Sequence, residues 1–240
     1  MQKAIDANLA NDMGQWNLYS RFGKRLFDVA VSVAGLLLLS PLLCVAAVCV
    51  RLGSAGPALF SQLRTGRFGE PFRIFKFRSM RVAPPNAGPL LTASGDARIT
   101  PIGRWLRKSK IDELPQLYNV LAGDMSFVGP RPEVPRYTEL YTERQKGVLQ
   151  VRPGITGPAI IVNEEELLAG SADPESLYVC SIMPAKLEVD LAYCANVSLL
   201  GDLKVIFVTL FRIFYRRPDS GSPGSIQHLI PNSDLLRDQR

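Results

Sequence analysis

The chain has 240 residues, 47% hydrophobic and 21% charged, a balance typical of one globular domain with or without an anchor. Its formal net charge of +6 favours an anionic partner, although charge alone does not choose among lipid headgroups, nucleotides and nucleic acid. A single histidine, His228, excludes a histidine-rich metal site and leaves acid–base chemistry to carboxylates. The four cysteines lack CxxC spacing and indicate neither a zinc site nor a disulfide framework.

Residues 1–20 are polar and are predicted to form a flexible segment. Residues 21–51 are predicted to form a membrane helix, because Val29–Val50 runs for 22 residues without a charge. At about 1.5 Å per residue, this stretch is long enough for a hydrocarbon core of about 30 Å. A buried helix of a soluble protein is the weaker interpretation, since such helices usually carry a polar face.

The flanks and the midpoint of the apolar stretch favour a re-entrant helix. Cations stand on both sides of it, so the positive-inside rule gives no direction: Arg21, Lys24 and Arg25 before it, and Arg51, Arg64 and Arg67 after it. Pro41 removes a backbone hydrogen bond, and the Ser40 hydroxyl is placed to satisfy a freed carbonyl. A helix broken at Ser40-Pro41 would enter and leave by the same face, with Asp28 as an interfacial charge beside Arg25. A kinked spanning helix stays open as the alternative.

Residues 52–217 are predicted to form a catalytic domain at the membrane surface, and residues 218–240 a disordered tail. Ala55–Arg81 alternates apolar and polar residues and predicts a hairpin, whereas Val82–Ala97 is a loop rich in proline and glycine. From Thr100 the sequence predicts an interfacial amphipathic helix with Trp105 at headgroup depth.

Further helices are predicted at Pro132–Gln150, Pro184–Asn196 and Gly201–Tyr215. The last of these is apolar on most faces, and both contact with the bilayer and packing on the anchor stay open for it. The fold class is therefore α+β and mainly helical, with a small β-hairpin or sheet.

An acidic pair stands in the most informative stretch of the chain. Asp112 and Glu113 precede Pro115, which is tolerated in a first helical turn, so the pair is predicted at a helix N-terminus with Ser109 at capping-box spacing. Acidic residues at a helix start are often only stabilising. Several cations nevertheless surround this pair, which favours a magnesium-bound diphosphate ligand: Arg104, Arg107, Lys108, Lys110 and Arg131.

The order of motifs resembles the bacterial sugar transferases, the monotopic phosphoglycosyl transferases that start lipid-linked glycan assembly. The similarity covers roughly Arg21–Phe214 and includes KRLFDVAVSVAGLLLLSP, FRIFKFRSM, DELPQLYNVLAGDMSFVGPRP and RPGITGP. A run of this length is more specific than any short motif. The resemblance implies a re-entrant anchor with its break at Ser40-Pro41 and a bacterial inner-membrane location, with the active site on the cytoplasmic face.

The resemblance also implies a ping-pong reaction between a UDP-sugar and polyprenyl phosphate. Asp112 would attack the sugar-bearing phosphorus, release UMP and bind Mg²⁺, while Glu113 would act as a base or position the acceptor. The expected substrate-binding residues are Lys76, Arg78, Arg107, Pro130 and Arg131, and packing at the membrane interface stays open for Lys76 and Arg78.

The partners expected are the two substrates and the phospholipid bilayer. No nucleic-acid partner is expected, because no recognition helix or base-stacking motif appears. A homodimer stays open. The rival interpretation is a non-catalytic membrane adaptor, which would have no need of the acidic pair.

Overall fold

The computed structural model describes residues 18–81, 96–161, 164–168, 171 and 173–214. The predicted flexible segment 1–20, the tail 218–240 and the loop Val82–Ala97 therefore lie wholly or mostly outside the described residues. Over the described ranges the helices are α1 (Lys24–Gly53), α2 (Pro101–Ser109), α3 (Gln116–Ala122), α4 (Pro135–Thr138), α5 (Glu164–Leu168), α6 (Pro174–Leu177), α7 (Met183–Ala195) and α8 (Leu199–Phe214). The strands are β1 (Leu59–Thr65), β2 (Pro71–Phe77), β3 (Ser126–Val128) and β4 (Gly154–Thr156). The chain is thus mostly helical with small sheets, as the sequence predicts.

One helix among the described residues is long and apolar enough to cross a membrane. It runs over Tyr19–Gly53, with a mean hydropathy of 2.6 in its most apolar window. Helical structure continues through Pro41, so the predicted break is not a gap in α1, and a change of direction at Ser40-Pro41 stays a prediction. Proline deprives the carbonyl four residues earlier of its donor, and the Ser40 hydroxyl replaces that donor by bonding to the Leu37 oxygen at 2.8 Å. The re-entrant path itself stays a prediction.

Both halves of α1 pack against the rest of the chain, with exposed leucines between the two contact regions. Near its start, the ammonium of Lys24 pairs with the Asp202 carboxylate on α8. Near its end, Ala46 and Val50 form a buried cluster with Phe77 and Leu106. Between them, the side chains of Leu37 and Leu38 are 70% and 79% exposed. The two ends of one apolar helix therefore contact the same folded body.

Asp28 is not the interfacial charge that the sequence predicts. Its side chain is 2% exposed, and Oδ1 accepts hydrogen bonds from Ser126 Oγ at 3.1 Å and the Phe127 amide at 3.0 Å. Arg25, its expected partner, instead donates to the carbonyls of Val120 and Leu121 at the end of α3. A buried carboxylate needs such donors because its desolvation is otherwise uncompensated. The pair therefore fixes α1 to α3 and β3.

The predicted hairpin is confirmed. Strands β1 and β2 pair antiparallel from Leu59–Phe77 to Thr65–Pro71, and the turn between them holds Phe68 at a φ of 61°. Phe72 and Ile74 of β2 are buried against Val120 and Met125. The hairpin thus packs against α3, the helix that follows the acidic pair.

The amphipathic helix predicted from Thr100 is also confirmed. Thr100 caps α2 by accepting from the Gly103 amide at 2.9 Å, Leu106 is fully buried and Trp105 is 53% exposed. The two later helices correspond to α7 and α8.

The single helix predicted over Pro132–Gln150 is wrong. The structure has the short helix α4 and a separate 3₁₀ segment, Gln145–Gln150. Thr142 and Gln145 form a capping box, in which the Thr142 amide donates to Gln145 Oε1 and the Gln145 amide donates to Thr142 Oγ1. That reciprocal cap starts a new helical turn at a point where the sequence pattern predicts that one helix continues.

Candidate active site

The acidic pair lies in a turn between two helices. Lys110 ends α2 in the left-handed conformation, with a φ of 59°, and Ile111–Glu113 form one 3₁₀ turn before α3 begins at Gln116. The pair thus lies in a first, 3₁₀ turn that leads into α3, which agrees with the predicted helix N-terminus. Ser109 does not cap this turn, because its hydroxyl donates to the carbonyls of Trp105 and Leu106 within α2.

Glu113 is held by two cations that come from distant parts of the chain. Its Oε1 accepts from Lys76 Nζ of β2 at 2.9 Å and from an Arg131 guanidinium nitrogen at 3.1 Å. Burial acts to raise the pKa of Glu113, but Lys76, Arg131 and Lys110 hold that pKa well below its ordinary value. Glu113 is therefore an ionised carboxylate. It holds Lys76 and Arg131 in place, and lysine and arginine are side chains of the kind that binds phosphate.

Asp112 has the opposite environment. Its side chain is 6% exposed, and its Oδ1 is buried without a hydrogen-bond partner. Burial and the neighbouring negative charge of Glu113 raise the pKa of Asp112 to about 6, against the lowering effect of Lys76, Lys110 and Arg107. A buried carboxylate oxygen with no partner and raised basicity is suited to a metal ion or an electrophile, because neither has to displace a hydrogen bond.

Arg131 reaches the pair because two glycine-containing segments cross at close range. It follows β3 in the sequence GPRP, and β3 pairs in parallel with β4 of RPGITGP. A Cβ on Gly129 would lie 2.4 Å from the Arg152 carbonyl oxygen, and one on Gly157 would lie 2.2 Å from the Gly129 oxygen. Only glycine allows this backbone approach, which directs the chain after β3 towards Glu113.

The family model for bacterial sugar transferases matches residues 19–216 of the chain. The chain belongs to the bacterial sugar transferase family.

Curated relatives of the chain carry related names. It is 37% identical over 201 residues to the UDP-glucose:undecaprenyl-phosphate glucose-1-phosphate transferase of Escherichia coli K12, covering 82% of this chain and 41% of the relative. It is 40% identical over 190 residues to a protein of the same name from Caulobacter vibrioides, covering 78% and 68%. It is 38% identical over 192 residues to the UDP-N-acetylgalactosamine-undecaprenyl-phosphate N-acetylgalactosaminephosphotransferase of Aeromonas hydrophila, covering 79% and 43%. The chain thus spans about two fifths of the length of the first and third of these relatives.

The structure brings most of the predicted site residues together. Lys76 and Arg131 meet at Glu113, and Arg107 acts electrostatically on Asp112 from the last turn of α2. Pro130 is buried beside Arg131, and its carbonyl accepts from the Gly154 amide at 2.9 Å.

Arg78 is not brought to the acidic pair. Its side chain is 4% exposed, and its guanidinium donates to the carbonyls of Ala55 and Ser54, just beyond the end of α1. A phosphate-binding role for Arg78 therefore has no support in this geometry. Its contacts hold the end of α1 against the hairpin.

Two buried amides at the site were not found from the sequence. Gln116 is 2% exposed with its Nε2 unpartnered, and Asn119 is fully buried with bonds to the backbone of β2. Both residues lie inside the DELPQLYNVLAGD motif, so the motif could have marked them as site residues. An amide side chain alone does not indicate which group it bonds to.

The donor set for a metal ion is small. Over the described parts of the chain, no group of three or more histidine, cysteine or acidic side chains converges. The unpartnered Asp112 Oδ1 fits a hard cation, whereas the neighbouring Glu113 oxygen is occupied by two cationic side chains. Mg²⁺ commonly takes one or two carboxylates and completes its shell with substrate phosphates and water, so the residues present fit that ion.

Proposed function

We propose that this chain moves a sugar 1-phosphate from a UDP-sugar to polyprenyl (undecaprenyl) phosphate by a ping-pong reaction. An Asp112 carboxylate oxygen attacks the sugar-bearing phosphorus, and the bond from that phosphorus to the UMP oxygen breaks. UMP leaves, and a phosphosugar stays on Asp112. A phosphate oxygen of the polyprenyl phosphate then attacks the same phosphorus, displaces Asp112 and yields the lipid diphosphosugar. This is the first membrane step of glycan assembly.

The observation that carries the proposal is the contrast between the two neighbouring carboxylates. Asp112 presents a buried, unpartnered oxygen with a pKa raised to about 6, whereas Glu113 is held by Lys76 and Arg131. A nucleophilic carboxylate divides one difficult displacement into two easier ones. Asp112 is suited to that role because no hydrogen bond has to break before it attacks.

Glu113 acts in this proposal by positioning rather than as a base. A carboxylate whose pKa is held well below its ordinary value accepts a proton poorly near neutral pH. Its two cations, Lys76 and Arg131, are instead fixed where phosphoryl oxygens arrive, and Arg107 adds positive charge beside Asp112. Such preorganised charge stabilises the oxygens of the transferring group.

Mg²⁺ bound by Asp112 and the donor diphosphate would neutralise phosphate charge during the transfer. The residues of the chain contribute orientation: Asp112 faces the phosphorus, and the cations around Glu113 hold the equatorial oxygens. Charge neutralisation and positioning are the main requirements of phosphoryl transfer.

The membrane helix is proposed to be re-entrant, with the active site on the cytoplasmic face of the inner membrane. Its two ends contact the same folded body through Lys24–Asp202 and through Val50 with Leu106, and its exposed middle contains Leu37 and Leu38. A helix spanning the bilayer with those contacts would draw the polar domain into the hydrocarbon. A helix dipping into one leaflet leaves the domain at the interface, where lipid and soluble substrates meet.

The topology is testable with single cysteines at Arg21, before α1, and at Glu70, in the hairpin turn, after replacement of the four native cysteines by serine. Both side chains are exposed. We expect neither position to react with a membrane-impermeant maleimide added to intact spheroplasts, and both to react after lysis. Labelling of one position from outside would show that α1 spans the membrane.

A second prediction concerns Arg131. Replacing it with methionine should lower the kcat/KM of UMP release by roughly 10²-fold, since a charge-assisted contact to a phosphoryl oxygen is lost. The matched control is Arg136→Met, whose side chain is 66% exposed and pairs with Glu175 on the surface. UMP release is measured with a coupled assay. Equal activities in the two variants would remove Arg131 from the substrate site.

The non-catalytic adaptor is separated from this proposal by turnover. A panel of UDP-sugars is incubated with the protein in vesicles containing undecaprenyl phosphate, and UMP is measured. The panel includes UDP-glucose and UDP-N-acetylgalactosamine, because the names of the relatives contain both sugars. We expect UMP release with at least one donor, and its absence with every donor would favour the adaptor.

A further inference from the structure

We propose that Asn119 is a positioning residue that sets Lys76 against Glu113. The inference rests on the proposed function, because its consequence is the alignment of a phosphate-binding cation. Asn119 belongs to α3, whose preceding turn carries Glu113, whereas Lys76 belongs to β2. The relative placement of these two elements therefore determines whether the ammonium and the carboxylate meet.

The side-chain amide of Asn119 both accepts a hydrogen bond from the edge of β2 and donates one to it. Its Oδ1 accepts from the Phe75 amide at 3.0 Å, and its Nδ2 donates to the Arg73 carbonyl at 2.7 Å. Among the described strands, β2 pairs only with β1, so its other edge presents these two backbone groups without a strand partner. The amide of Asn119 thus takes the place of a peptide group in a neighbouring strand.

Asn119 also fixes the end of its own helix. Its Nδ2 lies 3.2 Å from Asp124 Oδ2, and its backbone carbonyl accepts from the amides of Gly123, Asp124 and Met125. The side chain is fully buried and all of these groups are satisfied. A buried amide with partners on two elements permits one relative placement, because a shift of either element breaks a bond that water cannot replace.

The consequence for the site follows from chain connectivity. Phe75 is the residue before Lys76, and the amide clamp therefore acts one residue away from the cation. From there, Lys76 Nζ reaches Glu113 Oε1 at 2.9 Å. The ring of Phe75 also contacts Tyr118, the residue before Asn119, with centroids 5.7 Å apart. The alignment of Lys76 thus depends on a backbone contact made by Asn119, which itself touches no substrate.

A double-mutant cycle on UMP release tests the inference. In vesicles with undecaprenyl phosphate, we compare the wild type, Asn119→Leu, Lys76→Met and the double variant. Asn119→Leu should lower kcat/KM roughly tenfold or more, in line with the cost of misplacing a catalytic group by about 1 Å. In the Lys76→Met background the same change should lower it by less than about twofold, because the group that Asn119 aligns is already absent.

The control variant removes a comparable buried bond elsewhere on the hairpin. Thr138→Val breaks the 2.8 Å hydrogen bond between Thr65 of β1 and Thr138 of α4. It should change kcat/KM equally in both backgrounds. Asn119→Ser, which retains a small polar side chain, is measured in the same cycle so that poor folding of Asn119→Leu does not decide the result, and thermal unfolding is recorded for every variant.

Two outcomes overturn the inference in distinguishable ways. Equal losses from the Asn119 variants with and without Lys76, in an active wild type, would show that Asn119 supports the fold without positioning the cation. No UMP release by the wild type with any UDP-sugar would overturn the proposed function and the inference together. The inference is supported if the Asn119 variants lower kcat/KM in the wild type but not in the Lys76→Met background. The effect of Thr138→Val should be the same in both backgrounds.

Discussion

Replacing Asp112 with asparagine should abolish UMP release from the UDP-sugar while the protein stays folded and bound to the membrane. The amide is nearly isosteric but does not form the acyl phosphate, so we expect a loss of roughly 10³-fold or more, the range seen when a nucleophile is removed. The fold should persist because Oδ1 of Asp112 makes no hydrogen bond that the substitution would break. UMP release, vesicle flotation and thermal unfolding are measured on the same preparation.

The control for this variant is the same substitution at a remote position. Asp173 accepts a hydrogen bond from the Ser176 amide and caps α6, and asparagine caps a helix about as well as aspartate. Asp173→Asn should therefore keep full activity. A radiolabelled sugar phosphate should stay on the wild type in the absence of the lipid acceptor and should be missing from Asp112→Asn. Undiminished turnover by Asp112→Asn would exclude Asp112 as the nucleophile.

The parts of the fold that the sequence predicted are those governed by local pattern. The apolar stretch around Pro41, the alternation in Ala55–Arg81 and the amphipathic period after Thr100 each depend on neighbours along the chain. The hydroxyl of Ser40 bonding to the Leu37 carbonyl is a local rule of the same kind. These elements are recovered because their main partners are within a few residues or are apolar surfaces.

The parts that the sequence did not predict depend on contacts between distant segments. Lys76 and Arg78 are two residues apart and chemically similar, yet one meets Glu113 and the other meets carbonyls beyond the end of α1. Arg78 lies one residue beyond β2, next to the segment that follows α1, and its guanidinium bonds to that segment. Asp28 likewise accepts hydrogen bonds from residues that are 98 and 99 positions away in the sequence. Partners that are distant in the sequence, many of them backbone groups, leave no residue pattern from which the contact could be predicted.

The acidic pair itself was recognised, but the difference between its two members was not. In the sequence, Asp112 and Glu113 are adjacent carboxylates among the same cations. In the structure, Lys76 and Arg131 converge on Glu113 alone, and Oδ1 of Asp112 remains without a partner. The tertiary arrangement therefore gives the two carboxylates different environments, which raise the pKa of Asp112 and lower that of Glu113.

That asymmetry leads to the expected magnesium dependence. Chelation with EDTA should lower UMP release by roughly 10²-fold or more, and excess Mg²⁺ should restore it, because the diphosphate charge is otherwise poorly neutralised. Lys76 and Arg131 would remain beside Glu113 after chelation, but their side chains have no oxygen that could bind a metal ion. Full activity in EDTA would contradict a role for the ion.

The small donor set predicts how the proposed ion would bind. With Asp112 as the proposed carboxylate ligand, the residues that the structure describes offer too few oxygens for a tight site, and we expect the donor diphosphate to supply the others. Mn²⁺, used as a paramagnetic probe, should therefore bind at least about tenfold more tightly when a UDP-sugar is present, and the UDP-sugar should bind correspondingly more tightly with the metal. The enhancement should fall in Asp112→Asn and persist in Asp173→Asn. Equal Mn²⁺ affinity in Asp112→Asn and the wild type would place the ion on the diphosphate alone, without a ligand from the chain.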